Sequence, residues 1–165
     1  MPRHSRFFRD WTVYHVYIRC NNRQMLLKSE PVKLLLLNSL GRLQERLDIK
    51  VYAFVIMDNH AHFLIQMKGN ISVMMQKFLL SFGRKYRHER PYVGHFWQGR
   101  FQSTSVTTDL GMREVVGYVH ENPVKAKIVK DSKEYPYSSA YAYFGFSNKI
   151  ISDIIKISRY GDTLS

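Results

Sequence analysis

Lys50-Val51-Tyr52-Ala53-Phe54-Val55-Ile56-Met57-Asp58-Asn59-His60-Ala61-His62-Phe63-Leu64-Ile65-Gln66-Met67 is the stretch that decides the fold. Lys50 to Met57 is nearly continuously apolar and has the β-branched and aromatic content of a strand. Asp58-Asn59 supplies a tight turn. His60 to Met67 reads as a second strand, so the two runs make a hairpin. Side chains alternate across a strand, which sends Ala61, Phe63, Ile65 and Met67 towards a helix-covered core. His60 and His62 point to the opposite face, their Cα atoms about 7 Å apart after two steps of strand rise.

Working outward, Thr12 to Cys20 reads as an earlier strand, built on Val13, Tyr14, Val16, Tyr17 and Ile18. Asn21 to Lys28 is a loop. Ser29 can cap a helix with Pro31 in its first turn, and Leu36, Leu40, Leu43 and Leu47 share one helical face. After the hairpin, Ser72 is the expected cap of a helix striped by Met75, Phe78, Leu79, Phe82 and Tyr86. Lys77, Arg84 and His88 lie on a different, basic face of it. His88 to Arg100 is a loop, and Phe101 to Thr108 a fourth strand. Asp109 should cap a helix from Leu110 to about Glu121, with Pro123 forcing its end. The apolar patch from Ile150 to Ile157 suggests a last helix.

The order β-α-β-β-α-β is the split βαβ, ferredoxin-like arrangement of an α+β fold. Two helices would cover one face of a four-stranded antiparallel sheet, and the other face stays open for a ligand or a further helix. No repeat or linker divides the 165 residues, so the chain reads as one domain, with a core over about 10–145 and a short extension over 146–165.

Lys and Arg total 25 against 13 Asp and Glu, a formal charge of +12. So large a charge on a small domain favours a polyanion, nucleic acid before acidic membrane. The 11 Tyr and 10 Phe suit single strands, whose unstacked bases can lie on rings. No apolar run is long enough to cross a bilayer, and the basic, aromatic start lacks the apolar core of a secretory signal. A lone Cys20 makes no internal disulfide. These features point to a cytoplasmic protein without a membrane partner.

Two residue sets carry the chemistry. Imidazoles at the spacing of His60 and His62 can converge on one metal ion, or can simply pair with phosphate or backbone. A histidine-triad nucleotide hydrolase would want a third alternating histidine where Leu64 stands, and the paired His-x-Thr or His-x-Ser motifs of two-histidine phosphodiesterases are absent. A metal on two histidines would need a third protein ligand. In Val115-Val116-Gly117-Tyr118-Val119-His120-Glu121-Asn122-Pro123, the valines mark a buried helical face. Tyr118 and Asn122, four residues apart, share another face beside it. A helix docked across the open sheet face would present both to the histidines.

His60-Ala61-His62 together with Tyr118-Val119-His120-Glu121-Asn122-Pro123 resembles the HUH single-tyrosine transposases, and most closely the branch associated with repetitive extragenic palindromes (REP). Phe96-Trp97-Gln98-Gly99-Arg100-Phe101, Asn122-Pro123-Val124-Lys125-Ala126 and Tyr135-Pro136-Tyr137-Ser138-Ser139 fit that branch too, so the resemblance runs from the first strand to about Gly145. It implies that His60 and His62 bind a divalent metal, Mg²⁺ or Mn²⁺. It implies that Tyr118 is the nucleophile, and that Asn122 is the third ligand where relatives often have Gln. The implied activity is nicking and rejoining of single-stranded or hairpin DNA through a 5′-phosphotyrosine. Some relatives complete the site across a homodimer, and others act as monomers. Candidate DNA contacts are Arg3, Arg6 and Arg9 as an arm, Lys77, Arg84, Arg87 and Arg90 along a helix, and Trp97, with Phe96, as a stacking ring. Arg100 completes the set.

Other readings stay open on the sequence. An RRM-like binder shares the architecture, but its pattern of Gly and aromatics is not apparent in Phe101 to Thr108. Relaxases and replication initiators share the histidine pair but are usually larger. A host-domesticated relative would retain the same site.

Overall fold

The structure is a computed structural model and describes residues 9–160. Four strands, β1 (Thr12–Arg19), β2 (Ile49–Ile56), β3 (His60–Met67) and β4 (Gln102–Val106), form one sheet in the order β2-β3-β1-β4. All neighbouring pairs are antiparallel. Helices α1 (Glu30–Gln44) and α2 (Ile71–Glu89) supply the crossovers. The expected ferredoxin-like topology is therefore present, with the hairpin strands β2 and β3 at one side and β1 between β3 and β4.

The alternation in β3 sorts the two faces as the sequence requires. Ala61, Phe63, Ile65 and Met67 join Val16 and Ile18 of β1 in a core closed by Leu36 and Leu40 of α1 and Phe78 and Phe82 of α2. The other face is covered by α3 (Asp109–Lys125). Met112, Val116 and Val119 pack there on Val55, Met57 and Leu64. Burying side chains of this size contributes about 1.5–3 kcal/mol each, so α3 is held by packing rather than by propensity.

Several helix ends differ from expectation. Asn70, not Ser72, caps α2, its side chain accepting from the Ser72 and Val73 amides. Thr108, not Asp109, caps α3 by accepting from Gly111 N at 3.0 Å. Pro123 does not end α3 but lies inside it. One ring so close to the helix end removes only the bond to Val119 O, and the Asn122 amide nitrogen donates back to the Tyr118 and Val119 carbonyls at 2.8 and 3.5 Å. The helix ends at Lys125 and is capped by Ala126, after which Lys127 is left-handed at φ 58°. There Lys127 N bonds Val124 O and Ile128 N bonds Pro123 O, both at 2.9 Å, the pattern of a Schellman motif.

After α3 the chain returns along β2. Short α4 (Ala140–Tyr143) and α5 (Lys149–Ile154) follow. The last helix is shorter than the apolar patch, because Ile157 instead bridges to Val51 in parallel. Helix α5 lies against α1 so closely that a Cβ on Gly41 would meet Ile154 O at 2.1 Å. Residues 149–157 thus brace the back of the molecule, a role not legible beforehand.

Candidate active site

The site lies on the α3 face of the sheet, in a cavity of about 330 Å³. Register determines its membership. Tyr17 of β1 stands opposite His62 and Arg19 opposite His60. On the other side of β1, Gln102 and Thr104 of β4 stand opposite Tyr17 and His15. Directly opposed residues share a face, so His15, Tyr17, Arg19, His60, His62, Gln102 and Thr104 form one polar surface under α3, and all seven line the cavity.

Helix α3 then adds Tyr118 and Asn122 from the same chain. The Tyr118 ring stands edge-on to His62 with centroids 5.5 Å apart, and edge-on to His15 at 5.8 Å. Tyr118 is 44 % exposed, so its hydroxyl stays reachable. Asn122 lines the same cavity as His60. Lys125, one turn on, holds its ammonium 4.8 Å above the Tyr118 ring centroid.

The histidine rings are 5.3 Å apart and perpendicular. His60 Nδ1 donates to Asn59 Oδ1 at 2.6 Å, which leaves Nε2 without a proton in the neutral ring. His62 Nδ1 shares a 3.0 Å hydrogen bond with His15 Nε2. Burial lowers the His60 pKa first, helped by the nearby Arg19 and opposed by Asn122. Burial likewise pushes His62 down to about 3, with His15, His60 and Arg19 adding to the effect. Both rings are neutral at neutral pH, the form that ligates metals. Among the described residues no group of three or more His, Cys, Asp or Glu is arranged for a metal. Asn122 lines the same cavity and carries an amide oxygen that could serve beside the two imidazoles. Two neutral imidazoles and one amide fit a divalent ion that keeps positions open for substrate oxygen.

A model of the family described as "Transposase IS200 like" matches residues 10–122, the segment from just before β1 through Asn122. The chain belongs to the IS200-like transposases. As the fold of such a transposase, it resembles a REP-associated tyrosine transposase solved bound to a REP hairpin, with a TM-score of 0.75 and 18 % identity. That match covers 98 % of this chain and 96 % of the other. A protein from Deinococcus radiodurans R1, provisionally assigned as a transposase, matches at a TM-score of 0.50 and 14 % identity over 73 % of this chain and 97 % of that one. No curated protein matches the sequence.

In this transposase the four residues expected at the site, His60, His62, Tyr118 and Asn122, come together within one chain. His15 and Arg19 join them without having been anticipated. The expected DNA contacts divide. Arg84, Arg87, Trp97 and Arg100 line a second groove of about 760 Å³ between α2 and the loop before β4. Lys77 is exposed on α2 and Arg9 at the start of the described residues, neither lining that groove. Arg90 ends α2, paired with Glu89 at 3.0 Å. Arg3 and Arg6 lie outside the described residues. Phe96 does not offer a free ring. It is 5 % exposed, enclosed by Phe82, Tyr86 and Trp97. No helix among the described residues is long and apolar enough to cross a membrane.

Behind the site, Lys33 is a further residue the sequence did not advertise. It is buried in α1 and donates to Leu27 O at 2.7 Å, Lys28 O at 3.0 Å and Asp58 Oδ1 at 2.6 Å. It thereby fastens the turn that leads into His60. His120, on the buried side of α3, bonds Ser139 Oγ at 2.8 Å, and burial pushes its pKa down to about 4.

Proposed function

We propose that this transposase nicks and rejoins single-stranded DNA at hairpins through a covalent bond to Tyr118, with a divalent metal at His60, His62 and Asn122, as a member of the REP-associated branch. The observation that carries the reading is the Tyr118 ring edge-on to His62, with Asn122, one turn later, lining the same cavity as His60. Mg²⁺ or Mn²⁺ held there would supply positive charge to offset that developing on the scissile phosphate.

The Tyr118 oxygen attacks the phosphorus and forms a Tyr–O–P bond to the 5′ side. The P–O3′ bond breaks, and the departing 3′ oxygen takes up a proton, the phenolic one being released. The bond energy is retained in the phosphotyrosine. A 3′-hydroxyl from another strand can then attack it, which restores the tyrosine and joins the strands. No ATP is needed. Arg19, on the cavity wall beside His60, is placed to hold the phosphate, and Lys125 lends a second cation beside Tyr118.

The groove formed by Arg84, Arg87, Arg100 and Trp97 is the proposed path for flanking DNA. Phe101 lines this groove and the next residue, Gln102, lines the site on the other face of the sheet, so the two adjoin at the start of β4. The REP-associated relative was solved with a REP hairpin, and DNA of that class is the substrate proposed here. An RRM-like binder is disfavoured because α3 occupies the sheet face on which such a domain stacks bases. A cytoplasmic location belongs to the same reading.

Labelled single-stranded hairpins incubated with Mg²⁺, Mn²⁺ or EDTA test this reading. The expected result is metal-dependent nicking with a denaturant-stable protein–DNA adduct, absent in Tyr118→Phe. Tight binding across a broad hairpin set, with no adduct under any metal, would refute the chemistry and leave a binding protein.

A further inference from the structure

Both metal-candidate histidines have a partner at Nδ1, and the two partners differ in kind. Asn59 Oδ1 lies 2.6 Å from His60 Nδ1 and has no proton to give. His60 therefore carries its proton on Nδ1 and leaves Nε2 bare. His62 Nδ1 faces His15 Nε2 at 3.0 Å, and that bond is ambiguous, because either nitrogen can hold the proton. If His15 donates, His62 must be protonated on Nε2, and the nitrogen needed for an ion is blocked. If His15 accepts, His62 takes the same state as His60, and both present a bare Nε2.

The geometry points to His15 as the positioning residue that holds His62 in its Nδ1–H tautomer, from a diagonal position on the neighbouring strand. His15 stands opposite Leu64, one pleat from Tyr17, which is opposite His62. Tyr17, directly opposite His62, takes a bond from Arg19 Nε on its hydroxyl, and the partner at His62 Nδ1 is His15. The His15 ring stacks on His62 with centroids 5.2 Å apart and 20° between planes, which fixes the ring as well as the proton. Metal-ligating histidines almost always have such an acceptor, usually a carboxylate, a carbonyl or water. Here an imidazole fills the place. Because His15 also touches the Tyr118 ring at 5.8 Å, one side chain sets the ligand's orientation and packs against the nucleophile.

This assignment rests on the metal reading above, but its first test does not. Histidine ring nitrogens can be read by two-bond ¹H–¹⁵N NMR of the metal-free protein at about pH 8, above the ordinary imidazole range. The expected wild-type result is His62 protonated on Nδ1. His15→Phe, which keeps a ring but no acceptor, should shift His62 towards the Nε2–H form that free imidazole prefers. His15→Gln, whose Oε1 can accept, should restore Nδ1–H. A wild-type His62 already protonated on Nε2, or one unchanged in His15→Phe, would overturn the assignment. The wild-type spectrum decides it even if His15→Phe fails to fold.

The second test is Mn²⁺ affinity by calorimetry. Loss of an outer partner typically weakens binding about 10–100-fold. His15→Phe should fall in that range and His15→Gln should recover most of it. Equal weakening in both would make ring packing the whole effect and would overturn the acceptor role. Mn²⁺ binding that survives His60→Ala would instead refute the metal reading, whatever the tautomer spectrum shows.

Discussion

Tyr118 and Val119 are neighbours in α3 with opposite duties. Tyr118 turns its ring to His62 and stays half-exposed, whereas Val119 is fully buried against the sheet. Chemistry and anchorage therefore occupy adjacent residues. Tyr118→Phe should abolish the DNA adduct while moving the unfolding midpoint hardly at all. Val119→Ala removes two buried methyl groups and should cost about 1–3 kcal/mol. Urea denaturation beside the adduct assay checks the pair. A large stability loss in Tyr118→Phe would mean that the tyrosine is there for packing.

The groove arginines should act through phosphate. Removing one arginine–phosphate pairing should lower the slope of log affinity against log salt by about 0.7–0.9. Arg84→Ala and Arg87→Ala should therefore weaken hairpin binding and flatten its salt dependence together. Fluorescence anisotropy from low to moderate salt measures this. Unchanged slopes would remove DNA from the groove.

Lys33→Ala should be among the most damaging changes far from the cavity. It strips Asp58 of its partner and leaves the Leu27 and Lys28 carbonyls without their donor. Breaking a buried ion pair costs about 3–5 kcal/mol. Asp58 is about a third exposed, so water offsets part of that, and about 2–4 kcal/mol is expected. Denaturant titration reads the loss. A cost below about 1 kcal/mol, the range of surface pairs, would show the turn holds itself.

Cys20 should be chemically silent in the folded protein. It is fully buried, and burial raises its thiol to about 12, with backbone bonds from Leu26 and Leu27 and the charge of Lys33 opposing. An unfolded thiol ionises near its ordinary value of about 8.5. The folded protein therefore keeps this contribution in full below that range and loses stability as pH rises towards 12. Iodoacetamide labelling at about pH 8 should track unfolding rather than native exposure. Rapid labelling in the absence of denaturant would contradict the burial.

The hairpin at 50–67 was legible because a period of two leaves little choice of faces. It placed His60 and His62 correctly, and the four-residue spacing placed Tyr118 with Asn122. His15 and Arg19 were not legible. A histidine within an alternating strand means nothing until register is known, and the pairing of Tyr17 with His62 is set by the whole sheet. Lys33 sits among leucines and reads as a solvent residue, because its partners come from the distant turn and the preceding loop. Pro123 was misread for a related reason. Its local effect is to stop a helix, and the compensation lies in a neighbouring side chain and a left-handed Lys127.

The last turn of α3 has a consequence for Asn122. An asparagine amide has two ends, and free in a site it could turn either one to its surroundings. Here the NH₂ end is drawn back onto the helix, donating to Tyr118 O at 2.8 Å and reaching, at 3.5 Å, the Val119 carbonyl that Pro123 deprives of its usual amide. The oxygen is what remains to face His60. The helix carbonyls thus give this side chain a polarity: with its amide nitrogen engaged on them, an ambivalent group turns only its acceptor to the cavity.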